Sequence, residues 1–553
     1  MDVLSRYQLW CRSVSDPDLK KELEAMADDP EAMNDAFYRD LEFGTAGLRG
    51  VLGAGSNRMN VYVVGRAAQG LANYLKSQEE APSVSIAYDS RILSKEFAEL
   101  SAEIMAGNGI HAHIYPQLMP TPTLSFAVRH LASSAGINVT ASHNPSKYNG
   151  YKVYGPDGCQ ITELAAGRIL SEMGKVDPFR DVKRMPLEEA LKQGLVSYIG
   201  EDTVRAYLDA IDSQSVLPKD ISRDLKIVYT PLNGAGISCV PRCLSEHGFT
   251  NITIPPEQER PDGRFPTCPY PNPEIKEALE LALKKAEEIG AEFVLATDPD
   301  CDRVGTAVRK DGVTTLISGN QMGVLLIDFL CRVKKLPADP VAVKTVVTTK
   351  LAENVCRGYG VELRNVLTGF KYIGEVIHGL EEAGQEKRFL LGYEESYGYL
   401  TCPQIRDKDA VNASLLICEM FAWYKSRGKS VLDGLEEIQK RFGYYSDKIL
   451  SFVFEGQAGF EKMQKIMDGQ HADPYREIAG IPVQKKVDFK LDETGLPKSN
   501  VVQYELEGGT VVTVRPSGTE PKLKIYLSAS GKSSAESDAM VSRLESFFRS
   551  RFF

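Results

Sequence analysis

Histidine is scarce in this 553-residue chain, with only seven, so a site built from several imidazoles has little material. Long apolar runs are missing too. MGVLLIDFL at 322–330 is one of the longest, and it falls well short of the roughly 20 residues a membrane span needs. The opening MDVLSRYQLWCRSV has no basic segment followed by an apolar one, so no signal peptide is expected. There is no basic excess: 65 Lys and Arg against 75 Asp and Glu give a net charge of −10. This argues against a nucleic-acid partner but leaves room for a local cationic pocket. The ten cysteines are scattered, with no pair at zinc-site spacing. Cys239 and Cys243 are the nearest pair and read as core residues. A reducing cytoplasm is the simplest location.

What is present is a globular composition, 43% hydrophobic and 25% charged. The length calls for about three or four domains. After a polar, helical start, LEFGTAGLRGVLGAGSNRMN at 41–60 reads as a glycine-rich loop able to approach a ligand. PSVSIAYDSR is a strand ending in Asp89, Ser90 and Arg91. With SKEFAELSAEIMAGNGI, HAHIYPQ, TPTLSFAVRHL and GINVTAS it makes βαβαβ order. That order implies a mostly parallel sheet, whose active residues lie beyond the carboxyl ends of the strands. A similar layout recurs twice. The tail from about 450 reads instead as a small α+β domain.

Several loops carry chemistry. Asp298, Asp300 and Asp302 alternate directly after EFVLAT. Three carboxylates that converge offer hard oxygen ligands suited to Mg²⁺, and Arg303 adds a charge for a phosphate or carboxylate. A solvated acidic turn is the plainer reading. Ser142 follows the strand GINV, with His143, Asn144 and the cations Lys147 and Lys152 nearby. It reads as a nucleophile or as an ordinary turn serine. Arg515, Ser517, Gly518, Thr519 and Lys522 join two strands, a dense set of anion-binding groups or else a plain hairpin. Glu394, Glu395 and Ser396 suit sugar hydroxyls if a loop turns both carboxylates to one ligand. Lys371 and Arg49 are candidate phosphate contacts.

Taken together these loops closely resemble the α-D-phosphohexomutase superfamily, in its long phosphoglucomutase and phosphopentomutase branch. The resemblance covers most of the chain. It implies three tandem mixed-sheet α/β domains plus a smaller C-terminal α+β domain around a central cleft. The expected bounds are 1–210 for the phosphoserine loop, 211–325 for the metal, 326–450 for the sugar and 451–553 for the phosphate clamp. It implies that Ser142 carries a phosphate, and that one Mg²⁺ per chain is held by Ser142, Asp298, Asp300 and Asp302. Glu394, Glu395 and Ser396 would meet the sugar. Arg515, Ser517, Gly518 and Thr519 would hold the non-reacting phosphate. The TxGxRG pattern matches Thr45, Gly47, Arg49 and Gly50.

The implied reaction interconverts glucose 1-phosphate and glucose 6-phosphate through a bound sugar 1,6-bisphosphate. Lys152 is the first candidate base, its pKa lowered beside Mg²⁺ or Lys147, with His143 as orienter or alternative. Phosphopentomutase and phosphomannomutase are the alternative activities. A sugar-bisphosphate synthase and a catalytically silent sugar-phosphate-binding protein are others. Partners are small sugar phosphates, without nucleic acid or membrane, and a monomer is expected. Two departures from the family pattern stand out. Asn233 in TPLNG replaces a common His, and GYEESYG replaces a common GEESG.

Overall fold

A computed structural model describes residues 2–44, 47–454, 456–517 and 522–552. The described chain is built on four sheets. It divides into two compact units. The first comprises Met1–Ile317, Ile377–Glu381 and Gly398–Ala422, and the second Ser318–Val376, Glu382–Tyr397 and Trp423–Phe553.

The first sheet contains β1 (Leu48–Val51), β2 (Ser83–Tyr88), β3 (His111–Ile114), β4 (Ala135–Val139), β5 (Tyr148–Tyr154) and β6 (Val196–Tyr198), in the order β1-β5-β4-β2-β3-β6. β4, β2, β3 and β6 run parallel, while β5 is antiparallel to β4 and β1. The sheet is therefore mixed. Residues 148–154 form a strand because the chain after Val139 turns back on itself and pairs Asn138 with Lys152. Two helices of this layer start where polar side chains cap them. Asn60 accepts the amides of Tyr62 and Val63 to open Val61–Gln78, and Thr162 caps Glu163–Gly174. Their apolar faces meet the strands in one core that includes Val64, Leu71, Ile86, Phe97, Ile137 and Tyr151.

The second sheet, also in the first unit, has β7 (Ile227–Thr230), β8 (Ile252–Thr253), β9 (Phe293–Thr297), β10 (Val304–Lys310) and β11 (Val313–Ile317), ordered β11-β10-β9-β7-β8. All five residues of β9 are buried. That suits the apolar run FVLAT, which is covered on both faces.

In the second unit β12 (Val341–Thr345) lies between β13 (Glu362–Val366) and β14 (Phe389–Glu394), parallel to both. The helix Gly319–Val333 enters through a capping box of Ser318 and Gln321. After β15 (Gly398–Leu400), in the first unit, and the helix Ala410–Lys425, mostly in that unit as well, a six-stranded sheet closes the chain. It holds β16 (Tyr444–Val453), β17 (Glu477–Ile478), β18 (Ile481–Asp488), β19 (Val502–Leu506), β20 (Val511–Pro516) and β21 (Lys522–Gly531), ordered β16-β21-β20-β19-β18-β17. Every pairing in it is antiparallel. The helices Gly456–Ala472 and Ser534–Phe552 cover it around Leu450, Ile525, Leu544 and Phe548. This is the small α+β domain expected of the tail. Among the described residues no helix is long and apolar enough to cross a membrane.

Candidate active site

Ser142 comes three residues after the end of β4 and takes a left-handed backbone, φ 51°. Its amide is held by Thr140 Oγ1 at 2.8 Å. Its hydroxyl donates to Asp298 Oδ2 at 2.8 Å and lies 3.1 Å from His143 Nδ1. Burial, then the charges of Arg303 and Arg49, push the His143 imidazole well below its usual pKa, so the ring is neutral.

The acidic loop leaves the end of β9. Asp298 Oδ1 accepts the amides of Asp302 and Arg303 at 3.1 and 3.0 Å, which folds the loop around the first carboxylate. Asp298, Asp300 and Asp302 are buried, and one oxygen from each lies within 4.8 Å of the others. Asp300 Oδ1 and Asp302 Oδ1 are buried and accept no hydrogen bond. Orphaned carboxylate oxygens are costly in a protein interior. A divalent cation that prefers oxygen ligands would satisfy them, so the donor set fits a metal site.

Two ammonium groups face this cluster. Lys152 Nζ is 2.9 Å from Asp300 Oδ2 and 3.7 Å from Asp302 Oδ2. Lys408 Nζ is 3.1 Å from Asp302 Oδ2 and 3.2 Å from Asp407 Oδ1. Thr121 also holds Asp300, its hydroxyl donating to the same Oδ2 at 3.0 Å and its amide to the carbonyl at 2.8 Å. Asn138 Nδ2 in turn donates to the Thr121 hydroxyl at 2.7 Å. Burial and the neighbouring carboxylates of Asp300 and Asp302 raise the Asp298 pKa well above the usual range. Burial also opposes the charge on Asp300, yet Lys152 outweighs it and holds that carboxyl below the usual range.

The expected base chemistry needs correcting here. Burial alone would lower the Lys152 pKa, but Asp300 and Asp302 outweigh it and the pKa is raised. Lys147, expected to help lower it, is exposed, with its cation over the Tyr148 ring. Of the other first-unit candidates, Arg49 Nη1 reaches Asn144 Oδ1 at 3.5 Å. Arg303 pairs with Glu274 at 2.6 Å and stands 3.9 Å from Asp302 Oδ1. Asn233, in place of the family's His, has φ 57° and ties its loop to the carbonyls of Glu257 and Arg260 at 3.1 and 2.7 Å. Its part is to hold a turn.

In the second unit Glu394 and Glu395 are buried. Glu394 Oε1 accepts the Gly369 amide at 2.9 Å, and Glu395 Oε2 accepts the hydroxyls of Thr345 and Thr348 at 3.2 and 3.5 Å. Ser396 is partly exposed beside them. Lys371 opens the helix Phe370–Glu382, its cation over the Tyr372 ring. Arg515 on β20 stands opposite Lys524 of β21. The Ser517 amide donates to the Lys522 carbonyl at 2.7 Å and closes the neck of the anion loop. Thr45, Gly518 and Thr519 lie outside the described residues.

Four models of one family match the chain in succession. They describe phosphoglucomutase/phosphomannomutase α/β/α domain I over residues 40–179, domain II over 205–312, domain III over 318–442 and the C-terminal domain over 461–543. The chain belongs to the phosphoglucomutase/phosphomannomutase family. A phosphoglucomutase of Staphylococcus haemolyticus is 39% identical over 89% of this chain and 91% of its own length. A phosphoglucomutase of Staphylococcus aureus strain MSSA476 is 35% identical over 94% and 95%. Among solved structures, the open form of parafusin, a phosphoglucomutase of Paramecium, shares the fold with a TM-score of 0.68 at 18% identity, over 93% of this chain and 96% of that one. Membership makes the chain an enzyme, an intramolecular phosphotransferase of the phosphohexomutase type built from three α/β domains and a C-terminal α+β domain.

Reading the sequence missed Thr121, Asn138, Asp407 and Lys408. Proline flanks Thr121 on both sides, and Asp407 and Lys408 lie in PQIRDKDA, a stretch without periodicity. The alternation of charges in RDKD was the one available signal for the last two.

Proposed function

We propose that the chain interconverts glucose 1-phosphate and glucose 6-phosphate by way of a phosphate on Ser142 and a bound sugar 1,6-bisphosphate. The observation that carries this reading is the Ser142 hydroxyl, 2.8 Å from Asp298 Oδ2 at the edge of a three-carboxylate cluster. A nucleophilic oxygen next to a divalent-cation site is what phosphoryl transfer through an enzyme-bound phosphate needs. The choice of glucose rests on relatives named phosphoglucomutase at 35–39% identity.

In this reading one Mg²⁺ is held by Asp298, Asp300, Asp302 and the group on Ser142. When bound, it neutralises charge on the transferring phosphoryl. A sugar hydroxyl attacks phosphorus, the bond from phosphorus to Ser142 Oγ breaks, and the hydroxyl proton passes to a base. The bisphosphate then presents its other phosphate and the same exchange runs in reverse, returning phosphate to Ser142. Lys152, its ammonium 2.9 Å from Asp300 in the same cluster, serves as base or as charge partner, with His143, a neutral imidazole, orienting the Ser142 hydroxyl. Arg49 and Arg303 add positive charge there, and Asn144 holds Arg49. Lys371, Glu394, Glu395 and Ser396 are assigned to the sugar, and the loop from Arg515 through Ser517, Gly518 and Thr519 to the non-reacting phosphate. The bounds 1–210, 211–325, 326–450 and 451–553 divide these tasks. The ten cysteines, all free thiols, support a cytoplasmic location.

The test is a comparison of kcat/KM for glucose 1-phosphate, mannose 1-phosphate and ribose 1-phosphate, with Mg²⁺ and catalytic sugar bisphosphate present. Glucose 1-phosphate should be preferred. Preference for ribose 1-phosphate would move the assignment to a phosphopentomutase. Absence of turnover with all three, or of phosphate on Ser142 in the purified protein, would defeat it.

A further inference from the structure

Arg91 takes no part in the reading above, yet its side chain is fully buried directly beneath the serine loop. It follows β2 by three residues, in the sequence Asp89-Ser90-Arg91. Its guanidinium donates to four main-chain carbonyls. Nη2 reaches Ser142 and Asn144, each at 2.5 Å, and Nη1 reaches Pro145 and Tyr148, each at 3.1 Å. All four acceptors lie within residues 142–148, most of the turn between β4 and β5 and the first residue of β5.

Asp89 completes the arrangement. Its Oδ2 is 3.4 Å from Arg91 Nε, and its Oδ1 accepts the Arg91 amide at 2.9 Å and the Ser94 hydroxyl at 2.8 Å. Thr140 Oγ1 accepts the Ser142 amide at 2.8 Å. Both peptide groups of Ser142 are thus held, the carbonyl by Arg91 and the amide by Thr140. Phe265 lies against the guanidinium, 5.1 Å from its ring centroid.

This matters because Ser142 is not glycine and sits at φ 51°. A left-handed backbone costs about 1–2 kcal/mol for such a residue and persists only where the surroundings hold it. Four carbonyls bonded to one buried planar fork supply that hold. A lysine at 91 has three donors on a flexible stem and cannot span four acceptors in this geometry.

We propose that Arg91 is a positioning residue for phosphoryl transfer, its guanidinium fixing the left-handed turn that aims Ser142 Oγ at the acidic loop. The proposal rests on the mutase reading of Ser142. The test uses the full chain as Arg91→Ala and Arg91→Lys, with kcat and KM measured at saturating bisphosphate. Activity and phosphate on Ser142 in the parent are the control. Their absence would count against the mutase reading, and the variants are compared only with an active parent.

A misaimed nucleophile should cost about 100-fold in kcat with KM within about twofold. Methylguanidinium added below denaturing concentration should restore at least about 10-fold of the loss in Arg91→Ala, while sodium chloride at equal ionic strength should not. A general loss of fold would not respond to the added cation in this way. A kcat close to the parent's in either variant overturns the proposal, as does a loss in Arg91→Ala that methylguanidinium leaves unchanged. Should Arg91→Ala be insoluble, Arg91→Lys decides alone. There a kcat reduced at least about 10-fold with KM unchanged supports the role, and any smaller change overturns it.

Discussion

Lys152 Nζ and Asp300 Oδ2 are 2.9 Å apart, both buried, and the lysine stands on the strand that returns from the serine loop. The ammonium therefore shares a carboxylate with the proposed metal position. Lys152→Met removes a group that competes for Asp300 and leaves all three metal carboxylates in place. Its Mg²⁺ affinity should equal or exceed the parent's, while kcat should fall by about 10²–10⁴-fold, the usual weight of an acid–base group. Calorimetric titration with Mg²⁺ beside steady-state rates separates the two effects. A variant that loses metal binding would show that Lys152 builds the metal site and is not a reacting group.

Thr121 tests the support of the same carboxylate without changing any charge. Its hydroxyl donates to Asp300 and accepts from Asn138, so it sets the direction of the Asp300 lone pairs. Thr121→Val is nearly isosteric and removes that donor. Loss of such an outer partner typically costs about 10–100-fold in metal affinity or activity. The Mg²⁺ concentration giving half-maximal rate should rise by that order. An unchanged Mg²⁺ dependence would remove Thr121 from the site.

The phosphate clamp calls for a different signature. Arg515 lies on β20 at the neck of the anion loop, and a hydrogen bond from a charged group contributes about 1.5–3 kcal/mol. Arg515→Ala should therefore raise KM for the sugar phosphate by roughly 10–100-fold and leave Ser142 able to carry phosphate. Intact substrate affinity in this variant would sink the clamp assignment.

How much was readable beforehand differs residue by residue, for physical reasons. Ser142 and the three aspartates each come directly after a short apolar run, and GINV and FVLAT do form β4 and β9. Alternation and strand ends are local properties, so they can be read from sequence. Lys152 is legible as a cation near the serine, but its strand is not. Its strand exists only through pairing with β4, and the polar YNGYK gives no clear period of its own. Thr121 and Lys408 act through carboxylates 179 and 106 positions away, at Asp300 and Asp302. Contacts of that kind are set by tertiary packing and leave no pattern in either segment. β16 is an edge strand whose first four residues are half-exposed, and only Leu450 and Phe452 near its end alternate with exposed residues, too short a pattern to read.

Asn233 gives a prediction about stability without chemistry. It is buried at φ 57° and bonds two carbonyls through one amide group. Asparagine tolerates the left-handed region better than other side chains. Asn233→Ala should lower stability by about 1–3 kcal/mol, from strain and two unmatched carbonyls together. The kcat of the folded fraction should not change. A loss of kcat at unchanged stability would return a catalytic part to this position.

Asp409 makes stability depend on pH in a defined direction. The residue is buried at the start of the helix Ala410–Lys425, where it accepts the amides of Val411 and Asn412 and the hydroxyl of Tyr207. Burial outweighs those donors and pushes its pKa up to about 7. An aspartate in the unfolded chain titrates near 3.9. Below about pH 4 the carboxyl is protonated in both states and contributes nothing. Between about pH 4 and 7 the folded state holds a proton that the unfolded state has released, so stability falls as pH rises, and above about pH 7 the loss is complete. Three pKa units set an upper bound of about 4 kcal/mol on this loss. Asp409→Asn keeps an acceptor for the two amides and has no charge to bury. Its Tm should match the parent's near pH 4 and exceed it increasingly up to pH 7–8, at which point the gain levels off. Melting curves of both proteins across that range decide the matter, and a difference independent of pH would show that Asp409 stays ionised in the folded protein.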